Sequence, residues 1–246
     1  AVKSLHAGKH VFVEKPLAID RQQLDSVIEA AYEHPGQVLM VGFNRRFAPL
    51  VLKMRNFYAN RAEPMHVHYR VNAGYIPSNH WTQDPVIGGG RIIGEGCHFI
   101  DLALSLVKQP IIAVSANALP NAGKYKNDNV SMVITFSDGS IATIDYLANG
   151  DKSFQKESVE VFCAGRIAIL DDFRSLLLVH DGKRESHKLN WGQDKGHTAE
   201  IDAFTHAVKT GKAAIEIPEL RAVTLASFAA VESLSNNGVR VAIDQS

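Results

Sequence analysis

Residues 10–42, HVFVEKPLAIDRQQLDSVIEAAYEHPGQVLMVG, decide the fold of the first part of this 246-residue chain. Val11–Val13 is a short run of strand-forming residues that ends before a proline, which cannot donate a hydrogen bond to a sheet. Asp20 suits the N-cap of the helix that follows, and Gln37–Gly42 is an apolar run typical of parallel strands buried on both faces. Strand, helix and strand within about 30 residues predict a βαβ unit of a doubly wound α/β sheet.

A dinucleotide-binding sheet also needs a glycine-rich loop after its first strand. No G-x-G-x-x-G sequence follows a predicted strand in this chain. We therefore expect residues 1–45 to be the C-terminal part of a dinucleotide-binding Rossmann domain. Its phosphate-binding half is expected to lie before Ala1, so that the cofactor site is incomplete here.

Residues 46–246 are predicted to form a second, α+β domain. Met65–Asn72 alternates between apolar and polar residues, as a strand does. Beyond Pro110 further runs alternate in the same way, and short turns such as Ser137–Ser140 join them, so neighbouring strands should pair antiparallel. The predicted fold class is α/β followed by α+β, with a large open, mainly antiparallel sheet.

Charge and composition exclude several classes of partner. Lys and Arg together number 26, as do Asp and Glu, so no net field draws the chain to nucleic acid or to an anionic membrane. No apolar run approaches the roughly 20 residues of a membrane span. Cys97 and Cys163 are far apart and lack metal-ligand spacing, which indicates reduced thiols in the cytoplasm. We expect a cytoplasmic protein that binds a small molecule.

A second stretch, Gly88–Asp101 (GGGRIIGEGCHFID), carries the candidate chemistry. The glycines allow a sharp turn or a close approach, and the apolar spacing that follows predicts a helix. Glu95, His98 and Asp101 then fall near one stripe of that helix. His98 is either a general base or a buried histidine bonded to a backbone carbonyl. Glu95 is either its partner or a helix N-terminal charge, and Asp101 either orients His98 or pairs with a cation.

Lys15 follows the first strand of the βαβ unit. Ligands bind at the carboxyl ends of the strands in open α/β sheets. Lys15 is therefore a candidate to bond a hydroxyl or carbonyl group and to lower the pKa of a neighbouring base. On position alone, an ordinary solvated lysine is the alternative.

Two further groups of side chains are candidates for ligand binding. The polar and aromatic residues that precede the glycines are Asn72, Tyr75, His80, Trp81 and Asp84. They suit a polar cyclic ligand, or a solvated loop anchored by two aromatic rings. The arginines are Arg45, Arg46 and Arg91. They suit an anionic substrate group, or structural ion pairs.

No metal site is predicted. Glu95 and His98 match the Glu-x-x-His motif of di-iron proteins, but that site is built in a helical bundle, and the chain beyond it is β-rich. His66 and His68 share a strand face, but no third ligand can be nominated for them.

Three stretches in this order resemble the Gfo/Idh/MocA oxidoreductases, the glucose–fructose oxidoreductase and inositol dehydrogenase type, over essentially the whole chain. They are AGKHVFVEKPLA (residues 7–18), VGFNRRF (residues 41–47) and GGGRIIGEGCHFID (residues 88–101). Members of this family have an N-terminal Rossmann domain and a C-terminal α+β domain whose sheet often mediates dimers or tetramers. The resemblance therefore implies a homodimer or homotetramer.

The resemblance also assigns residues. Lys15 and His98 match the catalytic residues, and Lys15–Pro16 is a bond that is often cis in this family. Many members carry an aspartate where this chain has Gly94, so Glu95 is a candidate replacement. The implied cofactor contacts are Glu14, Lys15, Pro16, Asn44 and Arg45. The substrate contacts we assign are Asn72, Tyr75, His80, Trp81, Arg91, Asp101 and His197.

The function that the resemblance implies is hydride transfer between NAD or NADP and a carbinol carbon of a sugar, cyclitol or nucleotide sugar. His98 would move the hydroxyl proton, and Lys15 would assist. Two alternatives stay open. One is an NAD-dependent glycoside hydrolase that oxidises the sugar transiently and eliminates its aglycone. The other is a non-catalytic sugar-binding or oligomerisation module.

Overall fold

The structure, a computed structural model, describes residues 1–77, 79–84, 86–121, 123–125, 127–190 and 192–244. The described strands form one two-stranded and one nine-stranded sheet. The described α-helices are α1 (Val2–His6), α2 (Arg21–Glu33), α3 (Pro49–Phe57), α4 (Cys97–Val107), α5 (His197–Thr210) and α6 (Ile217–Ser235).

The two-stranded sheet confirms the predicted βαβ unit. Its strands, β1 (Val11–Val13) and β2 (Leu39–Val41), are parallel, and α2 joins them. α2 begins where the side chain of Asp20 accepts a hydrogen bond from the backbone N–H of Gln23 at 2.8 Å. Its apolar face, which includes Leu24, is buried. The carboxyl ends of β1 and β2 therefore lie side by side, where Lys15 and residues 44–47 follow them.

The nine-stranded sheet dominates the rest of the chain. Its strands are β3 (His66–Asn72), β4 (Ile111–Ala118), β5 (Asn129–Phe136), β6 (Ile141–Leu147), β7 (Glu157–Cys163), β8 (Arg166–Asp171), β9 (Ser175–His180), β10 (Lys183–Lys188) and β11 (Val241–Ala242). Their order across the sheet is β10-β9-β8-β7-β3-β6-β5-β4-β11.

The sheet is mainly antiparallel, as predicted, with one exception. β3 and β6 run parallel, from His66 opposite Ile141 to Asn72 opposite Leu147. β3 lies between β6 and β7, which follow each other in the chain. Alternation predicted each of these strands but carried no information on which distant strand would be its neighbour. The short edge strand β11 was also missed, because two residues give no periodic signal.

Helices cover one face of this sheet. Val67, Tyr69 and Val71 of β3 are completely buried, and every residue of α4 is buried. α4 packs against α6, and α6 packs against β4. An apolar helix enclosed on all sides is held rigidly by its neighbours, so its first turn is a fixed position from which a side chain can act.

The turn before α4 departs from the predicted helix. Residues Ile92–Gly96 form a π-helical turn, and α4 begins at Cys97. A π turn holds one residue more than an α turn and is frequently found at functional sites. Residues on either side of it therefore do not keep α-helical spacing, and the predicted stripe of Glu95, His98 and Asp101 is broken between its first and second members.

Among the described residues, no helix is both long enough and apolar enough to cross a bilayer.

Candidate active site

Lys15 reaches from the carboxyl end of β1 to the turn that precedes α4. Its ammonium group donates a hydrogen bond to the carbonyl oxygen of Gly94 at 3.0 Å. The Lys15–Pro16 peptide bond is cis, which confirms the expectation taken from the family. The contact joins two stretches that lie 79 residues apart in the sequence.

Gly94 occupies a position that only glycine fits. A Cβ atom on Gly94 would lie 2.6 Å from the carbonyl oxygen of Gly88, far inside the roughly 3.5–4.0 Å of a normal contact. An aspartate here would need a different backbone. A side chain at position 94 is therefore incompatible with the π turn as it stands.

His98 lies in the first turn of α4 and is buried, with 7% of its surface exposed. Its ring packs edge-on against Phe43, with 6.0 Å between ring centroids. The Nδ1 atom is buried and has no hydrogen-bond partner among the described residues. Burial, followed by the positive charges of Arg45 and Lys15, lowers the pKa of His98 well below its usual value of 6.5. The imidazole is therefore neutral near pH 7 and able to accept a proton.

Glu95 points to the sheet and joins a cluster of its own. One carboxylate oxygen accepts a hydrogen bond from the hydroxyl of Tyr146 at 2.6 Å and lies 3.1 Å from the Arg91 guanidinium. The other accepts from the ammonium of Lys156 at 3.1 Å. Arg91 also donates to the Tyr146 hydroxyl. Tyr146 and Lys156 were not predicted, because nothing local in the sequence marks them as partners of Glu95.

Arg45 is part of a buried ion-pair network. Its guanidinium donates two hydrogen bonds to the carboxylate of Glu157, at 2.8 and 2.9 Å. The same carboxylate accepts from Lys195 at 2.6 Å and from the hydroxyl of Tyr69. Burial alone would raise the pKa of Glu157, but the charges and hydrogen bonds of Arg45 and Lys195 outweigh it and lower that pKa well below its usual value. The side chain of Asn44 donates to the backbone carbonyl of Lys195 at 2.9 Å, so two of the five predicted cofactor contacts, Asn44 and Arg45, are engaged by residues of this network.

Arg46 and Asp101 form a second buried pair. The guanidinium donates to both carboxylate oxygens of Asp101, at 3.0 and 2.5 Å, and to Glu219 at 2.7 Å. Complete burial raises the pKa of Asp101, and the contact with Arg46 opposes that rise. Of the two alternatives for Asp101, pairing with a cation is the one observed. The pair ties the 3₁₀ turn after β2 to the helix that carries His98.

Glu200 is a buried carboxyl group that sequence reasoning missed. It lies in the first turn of α5 and is 5% exposed, and its Oε2 atom has no partner among the described residues. Burial, together with the negative charge of Glu14, raises its pKa from 4.5 to about 7. A signal existed: Glu200, Ala203, Phe204 and Ala207 fall on one stripe of α5, and a carboxylate on an otherwise apolar stripe is unusual.

The predicted substrate contacts differ in their burial and in their partners. Asn72 is buried, and its amide donates to the backbone carbonyl of Asp151 at 2.7 Å. Tyr75 packs edge-on against Tyr125 under the ammonium of Lys124. The exposed members of the predicted set are His80, Trp81 and His197.

The structure therefore brings Lys15 together with the turn before His98, and it links Glu95 with Arg91. Among the other predicted substrate residues, the Asn72 amide and the Asp101 carboxylate are engaged in the contacts described above. A role in substrate binding for the exposed residues stays a prediction.

Known families match both parts of the chain. The description "Oxidoreductase family, NAD-binding Rossmann fold" matches residues 1–43, and "GFO/IDH/MocA C-terminal domain" matches residues 61–166. Inositol 2-dehydrogenase 2 of Saccharopolyspora erythraea is 28% identical over 176 residues, which cover 69% of this chain and 50% of that protein. The chain spans about half the length of the first two curated relatives that it matches.

Solved structures share the fold at low sequence identity. An oxidoreductase domain protein from Kribbella flavida superposes with a TM-score of 0.85 at 20% identity, over 99% of this chain and 77% of that chain. Levoglucosan dehydrogenase in complex with NADH and levoglucosan gives a TM-score of 0.85 at 20% identity, over 100% of this chain and 76% of that chain. With a βαβ unit that matches the Rossmann description and a large sheet that matches the C-terminal one, this chain belongs to the Gfo/Idh/MocA oxidoreductase family.

Proposed function

We propose that the whole protein transfers a hydride between a nicotinamide cofactor and a carbinol carbon of a sugar, cyclitol or nucleotide sugar, and that this chain supplies the proton-transfer residues. The observation that carries the proposal is the junction of Lys15, at the carboxyl end of a parallel strand, with the π turn that leads into His98. A neutral imidazole with an unpartnered nitrogen thus lies beside a cation at the edge where such sheets bind ligands.

His98 acts as the general base in substrate oxidation and as the general acid in the reverse direction. Its lowered pKa keeps the ring neutral near pH 7, the form that can take a hydroxyl proton. Lys15 assists by stabilising negative charge that develops on the substrate oxygen. Its effect on His98 is to help keep the resting imidazole neutral.

The residues at this edge fit a nicotinamide cofactor. Glu14, Lys15 and Pro16 follow β1, and residues 44–47 follow β2, at the carboxyl ends of parallel strands where the fold class binds dinucleotides. When bound, the cofactor accepts or donates the hydride. Arg45 and Asn44 would stabilise the conformation of the chain after β2, since their polar groups are engaged by Glu157 and by the carbonyl of Lys195.

The substrate class follows from the relatives and from the side chains near the glycine turn. The relatives named above act on inositol or bind levoglucosan, both polyhydroxylated rings. Tyr75 and the exposed Trp81 supply aromatic faces for such a ring, and His80 and His197 supply exposed polar groups. Asn72 and Asp101, whose side chains are engaged within the protein, would stabilise the structure around the site and would not contact the substrate.

Kinetics of the whole protein test the assignment. We expect NADH formation with a panel of inositols and anhydrosugars, and a fall in kcat of about 10²–10⁴ for His98→Asn. Lys15→Met should lower kcat in the same direction. His206→Asn, which changes an exposed residue of α5, is the matched control and should keep full activity. Unchanged kcat in both site variants would refute the assignment.

The same assay separates the alternatives. Release of the aglycone from a glycoside without net NADH would favour the redox glycosidase, and no turnover of any substrate would favour a binding module. The 246-residue chain by itself contains no G-x-G-x-x-G loop, so we expect it to bind NADH far more weakly than the whole protein does in calorimetry.

Three further proposals extend the sequence analysis. The boundary between the two domains lies near residue 45. The nine-stranded sheet mediates a homodimer or homotetramer, which analytical ultracentrifugation of the whole protein would detect. The protein works in the cytoplasm.

A further inference from the structure

Three potential metal ligands meet at the C-terminal ends of two neighbouring helices. His6 is the last residue of α1, Glu33 is the last residue of α2, and His34 follows it. The Nε2 atom of His6 lies 3.6 Å from a carboxylate oxygen of Glu33. The rings of His6 and His34 meet edge to face, with centroids 5.2 Å apart. One ligand atom from each of the three lies within 4.8 Å of the other two.

This spacing is close to that of a metal-bound set. Bond lengths of about 2.0–2.1 Å to nitrogen and oxygen place the ligand atoms of a tetrahedral zinc site about 3.3 Å apart. The separation is at most 4.8 Å, so side-chain movements of up to about 1.5 Å would bring the atoms to this spacing. His6 and Glu33 are exposed and His34 is half-buried, so the movements meet little resistance. Two imidazoles and one carboxylate are ligands that suit Zn²⁺ and its neighbours in the first transition row.

The backbone around the three side chains favours a cation. The carbonyl groups at a helix C-terminus carry a partial negative charge, which stabilises positive charge within the last turn. Here α2, a helix of 13 residues, ends at the site, and the short α1 ends beside it.

The site is separate from the proposed active site. α2 begins near the carboxyl end of β1, where Lys15 lies, and it returns along the sheet to the amino end of β2. Its last turn is therefore at the opposite edge of the βαβ unit. A ligand bound there would not touch Lys15.

We propose that His6, Glu33 and His34 form a binding site for a divalent transition-metal ion of the Zn²⁺ class, completed by water and joining α1 to α2. The sequence alone gave no sign of it, because His6 lies 27 positions before Glu33 and no metal-ligand motif contains the three. The bound ion clamps the short helix α1 onto α2 and so raises the thermal stability of the folded chain.

The test is a metal titration of the whole protein, freed of metal by a chelator, with ZnCl₂ followed by calorimetry and CoCl₂ followed by visible absorption. We expect a saturable site with these three ligands and a Tm that rises with Zn²⁺. Loss of a residue that only orients a ligand costs about 10–100-fold in metal affinity. His6→Ala and His34→Ala should therefore each weaken Zn²⁺ binding at least about tenfold.

Two further variants sharpen the test. Glu33→Gln should also weaken binding, since the amide is a poorer ligand than the carboxylate. His206→Ala, which removes an exposed histidine of α5, should leave affinity and the Zn²⁺-dependent rise in Tm unchanged. Circular dichroism of each metal-free variant checks that it is folded. Equal Zn²⁺ affinity in the parent, His6→Ala and His34→Ala proteins would overturn the proposal, as would the absence of binding to the folded parent.

Discussion

Replacement of Glu157 by glutamine tests whether the ion-pair network behind His98 holds the fold together. The carboxylate is 1% exposed and compensates two cations, Arg45 and Lys195. Glutamine keeps the shape of the side chain but removes its charge. Breaking a buried pair by removing one partner costs about 3–5 kcal/mol, because a charge is left uncompensated. Native proteins are stable by only about 5–15 kcal/mol, so the expected loss is a large part of the total.

Urea and thermal denaturation measure this loss. A change of 3–5 kcal/mol should lower Tm by about 6–20 °C in a chain of this size. Asp25→Asn is the matched control, since it breaks the exposed i,i+4 pair with Arg21, and such pairs contribute about 0.3–0.5 kcal/mol. If Glu157→Gln were no more destabilising than Asp25→Asn, the network would contribute little to the stability of the fold.

The pH dependence gives an independent check. Arg45 and Lys195 lower the pKa of Glu157 in the folded state well below its ordinary value of 4.5. The folded protein then binds fewer protons than the unfolded one, so the stabilisation is complete above pH 4.5 and is lost as the pH falls through the folded-state pKa. The difference in free energy of unfolding between the parent and Glu157→Gln should be constant from pH 6 to 8 and should become smaller in acid.

Two further substitutions test the site. Gly94→Ala places a Cβ atom 2.6 Å from the carbonyl oxygen of Gly88, so the backbone must move. Because displacements of about 1 Å can lower kcat about 10²-fold, we expect a fall of that size. Gly36→Ala is the control, since a Cβ atom there meets no neighbouring atom, whereas Gly90 has a positive φ that alanine would strain. Glu200, with a pKa raised to about 7, holds a proton in the folded state between pH 4.5 and 7, and its stabilising contribution is lost as the pH rises through 7. Glu200→Gln should therefore be more stable than the parent at pH 8, by about 1–2 kcal/mol after screening by solvent, and equal to it at pH 4 in urea denaturation.

Strands and helix ends were predictable wherever the sequence pattern that marks them lies within a few neighbouring residues. Strands were expected in the alternating runs beyond Pro110, and Ile111–Ala118 and Ile141–Leu147 are two of them. The helix cap at Asp20 was expected from its side chain. The pairing of β3 with β6 was not predictable, because strand periodicity shows which face of a strand is buried but not which strand lies next to it.

The site was predictable only in part, and for the same reason. Lys15 and His98 stand in motifs that a sequence displays directly. Their surroundings depend on contacts across long stretches of chain: Glu157 meets Arg45 from 112 residues away, and Tyr146 meets Glu95 from 51. The π turn is also a tertiary effect, since apolar periodicity through Ile92–Gly96 predicts an ordinary α-helix.

Glycine at position 94 changes the charge balance of the site as well as its backbone. Arg45 is compensated by Glu157, and Lys156 by Glu95. The hydrogen bond of Lys15 goes instead to a neutral acceptor, the carbonyl of Gly94, where an aspartate would have supplied a negative charge. The charge of Lys15 is therefore not compensated by the group that accepts its hydrogen bond. It helps to hold the pKa of His98 down, and in the proposed reaction it also stabilises negative charge on the substrate oxygen. The close approach of Gly88 leaves no room for a side chain at position 94, so the hydrogen bond of Lys15 there goes to a backbone carbonyl and not to a carboxylate.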